Sequence, residues 1–333
     1  MRFSPILSLF VLGSALVAQT TVDYPDSTLA SPAGQYPLYT PTNGNVCRVQ
    51  IFCPSTFASL PTIPMLCTKV GVQIAGQYPY TAFVGRAGTT TVTALTTSFT
   101  TNLPNQDIQF DWSGRTLQGG GTNTSLANVW VEIDLCHPFV YTPGRSLVVD
   151  ITSQSQVAGQ YCRSAIGTGV SRMYDLAYTP ASTGGTVLGS GGIKLRFVFQ
   201  PLYQPVEFGA GCEGTNQLTP RLSATGSTQI GATAPLLLNL SQARANAASF
   251  LVLGLQCLDL PVFGGCEIYP QLSILVGSTT SSSGTGGFPV LIPNNSALDG
   301  VAVTCQYAID DPNTKAAPLT FTLSNGLRLV LNK

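Results

Sequence analysis

Short runs in which apolar and polar residues alternate recur along most of the chain. In one run, Val131, Ile133 and Leu135 fall on one side of an extended backbone and Trp130 falls on the other. A period of two residues indicates a half-buried β-strand. No stretch long enough for a helix carries apolar residues at the helical period of 3.6. The pattern therefore predicts an all-β protein. The clearest runs are residues 47–52, 68–74, 130–135, 147–151 and 193–199, then 250–255, 265–269, 288–293, 300–307 and 319–331.

Turn residues divide these runs into two groups. Residues 208–214 contain three glycines and a cysteine, which is typical of a tight turn pinned by a disulfide. A chain of 333 residues is expected to form two domains. We predict two β-sandwich, jelly-roll-like domains in tandem, at residues 45–203 and 206–333, after an extended arm at 20–44. Asn325-Gly326 is the strongest two-residue hairpin signal in the chain.

The first residues resemble an export signal. Arg2 is followed by an apolar run at residues 6–17, and small residues stand at Ala15 and Ala18. The run is shorter than the about 20 apolar residues that span a bilayer. No later run reaches that length, since glycine, proline and polar residues interrupt each of them. We therefore predict a signal peptide at residues 1–18, no later transmembrane segment, and a secreted, cell-surface or periplasmic location.

Charge is scarce in this chain. Lys plus Arg and Asp plus Glu both number 15, so the formal net charge is zero, and charged residues make up 9%. An ordinary globular chain has about 25%. This composition lacks the basic footprint of a nucleic-acid binder and the polybasic patch of a membrane-surface protein. Thr, Ser, Asn, Gln and Gly are expected to cover the surface instead.

Nine cysteines in an exported chain indicate disulfides. Five cysteines precede residues 208–214, and the other four lie within this segment or after it. One cysteine of the first half therefore stays unpaired unless a disulfide joins the two halves. Structural zinc is less favoured, because the chain has no C-x-x-C pair and its only histidine is His137. Spacing does not determine connectivity. The candidate pairs are Cys53–Cys67, Cys212–Cys266 and Cys257–Cys305.

A stretch in the first half is similar to a known pattern. Residues 136–143 (CHPFVYTP), followed by LVVDI, resemble the PF-x-Y-x-P hairpin of exported bacterial β-sandwich proteins of unassigned function. In such a hairpin Phe139 and Tyr141 would close one end of the sandwich. Pro143 and Gly144 would form the turn. The resemblance implies a fold and no chemistry.

The last third of the chain resembles a C-terminal module of secreted proteins from planctomycete-type bacteria. The matching segments are FGAGC at 208–212, LTP at 218–220, FLVLGL at 250–255, GCEIY at 265–269, residues 289–293 and LSNGLRL at 323–329. The resemblance implies a small β-sandwich on an exported protein, and that family has no established activity. Cys257 and Cys305 lie outside its pattern.

Candidate catalytic groups are sparse. A serine hydrolase needs a base, but His137 precedes a proline at a predicted strand end, and no G-x-S-x-G elbow occurs. A glycosidase needs two carboxylates. Asp107 with Asp111, and Glu132 with Asp134, are the candidate pairs, and each pair lies on extended chain where solvated neighbours are the simpler interpretation. We predict no catalytic residues and no enzyme activity.

Two further motifs have structural interpretations. Residues 310–313 (DDPN) contain oxygen ligands suited to calcium, but Asp, Pro and Asn also form turns, which we favour. The glycines of 208–214 spell G-x-G-x-x-G, a dinucleotide fingerprint that must open a helix. Pro220 interrupts any helix there, so we reject that interpretation. No metal and no cofactor are predicted.

The leading functional hypothesis is therefore a non-enzymatic exported protein with a structural, adhesive or surface-interaction role. The alternative is carbohydrate binding through loop aromatics, with Tyr78, Tyr80 and Trp112 as the candidate contacts. A glycoside-active hydrolase ranks last. The expected partners are polysaccharides or other surface proteins.

Overall fold

The computed structural model describes residues 19–25, 33–34, 45–74, 77–105, 108–111, 113, 116–118, 129–154, 162–314, 318 and 320–333. Within these residues nearly every regular element is an antiparallel β-strand, so the predicted all-β sandwich class is confirmed. Helix in this part of the chain is limited to α1, Phe99–Asn102, and three short 3-10 helices. None of them is long or apolar enough to cross a bilayer. The predicted signal peptide lies outside the described residues.

Thirteen strands belong to the first half of the described chain. In order they are β1 Thr20–Tyr24, β2 Ala33–Gly34, β3 Val46–Cys53, β4 Met65–Ile74, β5 Gln77–Pro79, β6 Ala82–Thr90, β7 Phe110–Asp111, β8 Thr116–Gln118, β9 Val129–Tyr141, β10 Ser146–Gln154, β11 Cys162–Asp175, β12 Thr186–Ile193 and β13 Leu195–Gln200.

Two facing layers form this half. One layer has the order β1-β13-β4-β9, and the other has the order β11-β3-β10-β6-β7 with β12 beside β11. The long strand β11 pairs with both β3 and β4, so it joins the layers at one side. The start of the predicted surface arm forms β1, whose Val22 and Tyr24 are buried against the core.

Strand β3 shows how the sequence pattern builds this sandwich. Val49 and Ile51 point between the layers into the main core. Arg48 and Gln50 point to the opposite face, where residues 91–105 and α1 cover them. Both faces of this strand are therefore buried, and polar groups on the outer one need partners within the protein.

Eleven strands belong to the second half. They are β14 Val206–Phe208, β15 Arg221–Thr225, β16 Leu236–Ser241, β17 Ala248–Gly254, β18 Cys257–Pro261, β19 Glu267–Pro270, β20 Ile274–Thr279, β21 Gly286–Val290, β22 Ala302–Asp310, β23 Phe321–Leu323 and β24 Gly326–Val330.

The second half is a sandwich of unequal sheets. The larger sheet has the order β14-β24-β22-β17-β20, with β23 beside β22, and the smaller has the order β15-β16-β21. Alternate residues of both sheets, such as Leu238, Leu251, Tyr307 and Leu327, form the core between them. The β18–β19 ribbon covers the outer face of the larger sheet.

The two halves touch through an apolar contact and a covalent bond. Leu66 of β4, Val206 of β14 and Val330 of β24 form a small buried cluster. A disulfide joins Cys136 of β9 to Cys257 of β18 across 121 residues of sequence. The predicted domain limits stay a prediction. The disulfide shows that the halves are joined by a covalent bond in addition to the chain that runs between them.

Of the two predicted hairpins, one is a sheet-changing connection and the other is absent. Residues 142–145 form a turn with Gly144 at φ 83°, but β9 pairs with β4 while β10 pairs with β3 and β6. Tyr141 is buried in the core as expected for a plug. At Asn325, strands β23 and β24 both pair with β22 and not with each other. The turn at 142–145 therefore carries the chain from one layer to the other. Residues 324–325 only interrupt an extended path along β22, so the predicted Asn325-Gly326 hairpin is wrong.

The predicted pinned turn at 208–214 is present. Cys212 is bonded to Cys266, one of the three candidate pairs. Gly209 has φ 63°, and a β-carbon there would stand 2.1 Å from the hydroxyl of Tyr269. A β-carbon at Gly214 would stand 2.2 Å from the carboxylate of Asp311. Glycine is therefore required here by close packing as well as by backbone conformation.

Replacing Gly209 by alanine should lower the free energy of unfolding by about 2–4 kcal/mol, because strain at positive φ adds to a clash with Tyr269. Gly144→Ala is the matched control, since Gly144 also has positive φ but nothing lies within 4 Å of its added β-carbon. That change should cost only about 1–2 kcal/mol. Denaturant unfolding of both variants checks the difference, and equal costs would contradict the packing argument.

Candidate functional site

An apolar groove opens at one end of the second sandwich. It is a cavity of about 240 Å³ between the ends of β17, β20, β22 and β24 and the end of β21. Its lining carries no charged side chain. The residues that define this apolar groove are Leu253, Leu255, Ile274, Val290, Leu291 and Leu329.

The groove exists because the two sheets differ in width. Ile274 lies directly opposite Leu253 in the sheet, and Val276 lies opposite the buried Leu251, so both point toward the core. Ile274 is nevertheless 57% exposed. Nothing described in the smaller sheet covers this end of the larger one, and the rim residue Leu291 is 72% exposed. Because Ile274 faces the core and is still exposed to solvent, the core of the second sandwich is open at this end.

A second concavity, the junction cleft, lies where the two halves meet. It has a volume of about 360 Å³ and polar walls. Lys69 and Asp134 form an ion pair of 2.9 Å on one wall, and Arg221 and Glu207 form another of 2.9 Å. The backbone N–H of Gly209 donates to the Asp134 carboxylate at 3.2 Å, which ties the turn to the first half. This cleft suits a polar ligand.

The candidate acid pair Glu132 and Asp134 belongs to a row of ion pairs on the outer face of the first half. Arg196 contacts Asp23 at 2.7 Å and Glu132 at 3.2 Å, and its guanidinium lies 4.4 Å from the centre of the Trp130 ring. Asp134 is engaged by Lys69. Both acids are therefore neutralised by bases, and the row pins β1 to the sheet.

The deepest charged group of the first half is fully satisfied. Asp150 is completely buried and accepts hydrogen bonds from Arg48 at 2.6 and 2.9 Å and from Gln50 at 2.7 Å. Asn102 continues the network by donating to Gln50 at 3.0 Å. Burial alone would lower the pKa of Arg48, but hydrogen bonds and charge from Asp150 raise it above its usual value. This network fixes residues 91–105 over the sheet.

Arg328 of β24 has the opposite environment. It is 0% exposed, and none of the described groups lies within hydrogen-bond reach of its guanidinium nitrogens. Thr304, its neighbour across the strand pair, also has a buried hydroxyl without a partner among the described residues. Burial lowers the pKa of Arg328 to about 10, although the Cys305 thiol opposes that shift. An isolated buried charge is costly.

Arg328→Met should therefore raise the free energy of unfolding by about 1–3 kcal/mol, since methionine fills the site without a charge. The charge penalty on the wild type is present at neutral pH and fades above the lowered pKa, so the gain should shrink as the pH rises past about 10. Arg48→Met is the matched control, and it should destabilise by about 3–5 kcal/mol because it strands Asp150. Denaturant unfolding across pH tests both changes, and a destabilised Arg328→Met would contradict the argument.

The cysteine pairing corrects two of the three candidate bonds. Cys257 is joined to Cys136 and not to Cys305. This bond crosses between the halves, which the odd number of cysteines in the first half had left open. Cys53, Cys67 and Cys305 are buried free thiols. Burial raises the pKa of Cys305 to about 12 and holds the pKa of Cys53 and Cys67 well above the usual range.

These three thiols should resist iodoacetamide in the native protein at pH 8, because only the thiolate reacts and their pKa is raised. After unfolding in denaturant without reductant, all three should be alkylated, while Cys136, Cys257, Cys212 and Cys266 stay protected. Peptide mapping by mass spectrometry distinguishes the two sets. Finding Cys53 joined to Cys67, or Cys257 joined to Cys305, would contradict the pairing described here.

One of the three predicted sugar contacts, Tyr80, is buried. Tyr80 is 2% exposed and its ring packs 5.0 Å from that of Phe83, so it cannot stack on a sugar. Trp112 and the side chain of Tyr78 lie outside the described residues. The reason for the correction is that Tyr80 follows the ribbon strand β5 directly and points into the first core.

The remaining candidate residues have local structural roles. His137 lies inside β9 rather than at a strand end. Asp111 accepts a hydrogen bond from the backbone of Ser113 at 2.9 Å, and its proposed partner Asp107 lies outside the described residues. Asp311 is buried and accepts from the Thr215 backbone at 2.7 Å, in line with the turn interpretation of 310–313. Among the described residues, no three His, Cys, Asp or Glu side chains converge on a metal-sized site.

Comparison with known proteins adds no relative. No protein-family model matches the chain, and no curated protein matches it significantly. Function must therefore be inferred from the chain's own side chains.

The sequence analysis did not identify the apolar groove. One signal for it was present in the sequence, since residues 268–298 contain no Asp, Glu, Lys or Arg.

Proposed function

We propose that this chain is an exported, disulfide-stabilised, non-enzymatic protein with a structural, adhesive or surface-interaction role, and that the apolar groove is its contact surface. The observation that carries the proposal is the exposure of core-facing Ile274 inside a groove with no charge in its lining. Monomeric proteins rarely leave a large contiguous apolar patch in water unless something covers it.

Export is supported by three features. The predicted signal at residues 1–18 would direct the chain out of the cytoplasm. Disulfides such as Cys136–Cys257 persist mainly in oxidising compartments. The resemblance of residues 208–329 to the module of planctomycete-type secreted proteins points the same way. A secreted, cell-surface or periplasmic location and a bacterial source are therefore part of this proposal.

A contact role suits the chemistry of the groove better than catalysis. Acid–base and nucleophilic catalysis need titratable groups near the reacting atoms, and the groove lining has none. In the junction cleft the carboxylates of Asp134 and Glu207 are held by Lys69 and Arg221. Leucine and isoleucine side chains instead gain about 25 cal/mol for each Å² of apolar surface that a partner removes from water.

Site-specific photo-crosslinking tests the contact role. A benzophenone amino acid replaces Leu291 on the groove rim, and in a matched variant it replaces Ile63, which is also exposed but lies in the first half. Both full-length chains are produced in a host that exports them, and adducts are identified by mass spectrometry. The expected result is a defined protein adduct at position 291 and none at 63, because only the groove offers a concave apolar surface.

Equal or absent adducts at the two positions would contradict the groove as the contact surface. Retention of the signal peptide on a chain that stays in the cytoplasm would contradict export. These two outcomes are independent, so each part of the proposal can fail alone.

Carbohydrate binding remains the second candidate, and the observation that favours it is the polar junction cleft rather than the loop aromatics. Its ion-paired carboxylates and amide side chains, such as Gln242, could bond sugar hydroxyls. A glycan array on which the wild-type chain is not retained would remove this candidate. A glycoside-active hydrolase ranks below both.

A further inference from the structure

We infer that the occupant of the apolar groove region is a second copy of this chain, which adds its own β20 antiparallel to β20 of the first copy. This inference rests on the proposed contact role and names the partner. The resulting assembly is a two-fold symmetric dimer in which the two larger sheets of the second halves become one continuous sheet.

Strand β20 is an open sheet edge. It ends the order β14-β24-β22-β17-β20 and pairs in regular register with β17 alone among the described strands. The backbone N–H and C=O groups on its other side therefore point away from the sheet. Such a row of unpaired groups is a template for another extended chain.

Nothing on β20 discourages that pairing. Natural edge strands are usually protected by a charge, a proline or a bulge. The other end strands of this sandwich follow that rule, with Glu207 on β14, Arg221 on β15 and Pro289 on β21. Strand β20, Ile274–Thr279, has none of these features, and its register with β17 shows no bulge.

The missing charge selects a second copy as the partner. Two-fold pairing places only the residue on the axis opposite its own copy, and it places the others opposite residues of the same strand. A strand with charges of one sign would therefore repel its copy. Residues 268–298 contain no charged side chain, and self-pairing of β20 therefore creates no like-charge contact. A partner with a charged strand would be less suited to this edge, because residues 268–298 offer no opposite charge to pair with it.

The apolar residues also indicate the register. If the two-fold axis passes beside Leu275, this side chain meets Leu275 of the second copy, and Ile274 meets Val276 of the second copy. Leu275 then contacts its copy on the outer face of the sheet, and Ile274 contacts Val276 on the groove face. Leu275 is 54% exposed on the outer face and Ile274 opens into the groove, so both faces of the sheet gain buried apolar surface. The area buried by edge pairing alone is small, and the exposed side chains of Leu255, on the groove, and Leu272, two residues before β20, add to the area that a stable dimer needs.

Sedimentation equilibrium or light scattering of the purified full chain tests the inference over a dilution series. The expected mass is that of two chains, falling to one on dilution. Leu275→Lys should weaken the dimer at least about tenfold, because it places two like charges opposite each other. Ile63→Lys is the matched control and should leave the dimer unchanged, since Ile63 is similarly exposed but remote from β20.

A mixture of two variants gives the sharpest result. Leu275→Glu should also be monomeric alone, and mixing it with Leu275→Lys should restore a dimer, since opposite charges meet only if residue 275 faces its own copy. Circular dichroism confirms that both variants remain folded. A wild-type chain that is monomeric at the highest concentration, or a mixture that stays monomeric, overturns the inference. If photo-crosslinking at position 291 still captures another protein in that case, the contact role survives; if it captures nothing, the contact role fails as well.

Discussion

The bond between Cys136 and Cys257 constrains more of this molecule than any other single interaction. It joins β9 of the first half to β18, the ribbon that covers the larger sheet of the second half. A crosslink that closes a loop of this length restricts the unfolded chain strongly, by about 4–5 kcal/mol in the chain-entropy account. The junction cleft and the buried contact of Leu66 with Val330 both lie where this bond holds the halves together.

A second constraint is the shortage of charge. Several of the described acids form ion pairs, as Asp150 does with Arg48 and Asp23 does with Arg196. Amide side chains take over part of the role that charged side chains have in other proteins, because they form hydrogen bonds with backbone groups inside the fold. Asn325 exchanges two hydrogen bonds with the backbone of Leu222 at 2.7 and 2.9 Å, and so connects the two sheets of the second sandwich. Arg328 is the exception, because it is buried without such a partner among the described residues.

The same neutrality explains why the groove and the β20 edge stand out. On a highly charged surface an uncharged strand is flanked by lysines that keep it solvated. Here residues 268–298 lack charge altogether, and the strand among them is at the end of a sheet. Ile274 belongs to both the apolar groove and the open edge, which is why we propose them as one contact surface.

Several features were predictable from the sequence, and others were not. Alternation in residues 130–135 identified β9 and its buried Ile133 and Leu135, because one residue on each side of a strand faces the core. The glycines of 208–214 indicated the pinned turn, since a positive φ and close packing exclude larger residues. The turn signal at Gly144 was also real, but it did not reveal the next strand's partner, and the hairpin signal at Asn325 did not produce a turn. A turn determines how the chain reverses and not which sheet receives it.

By itself, the sequence determined the all-β class and the positions of most strands, because these depend on local backbone preference. It offered Cys212–Cys266 only as a candidate pair, and the structure confirms that pair. Only the tertiary structure decided that Cys136 reaches Cys257, that Tyr80 is buried, and that Ile274 is exposed despite facing the core. Those facts depend on how sheets of unequal width stack, and this stacking brings together residues that are far apart in the chain.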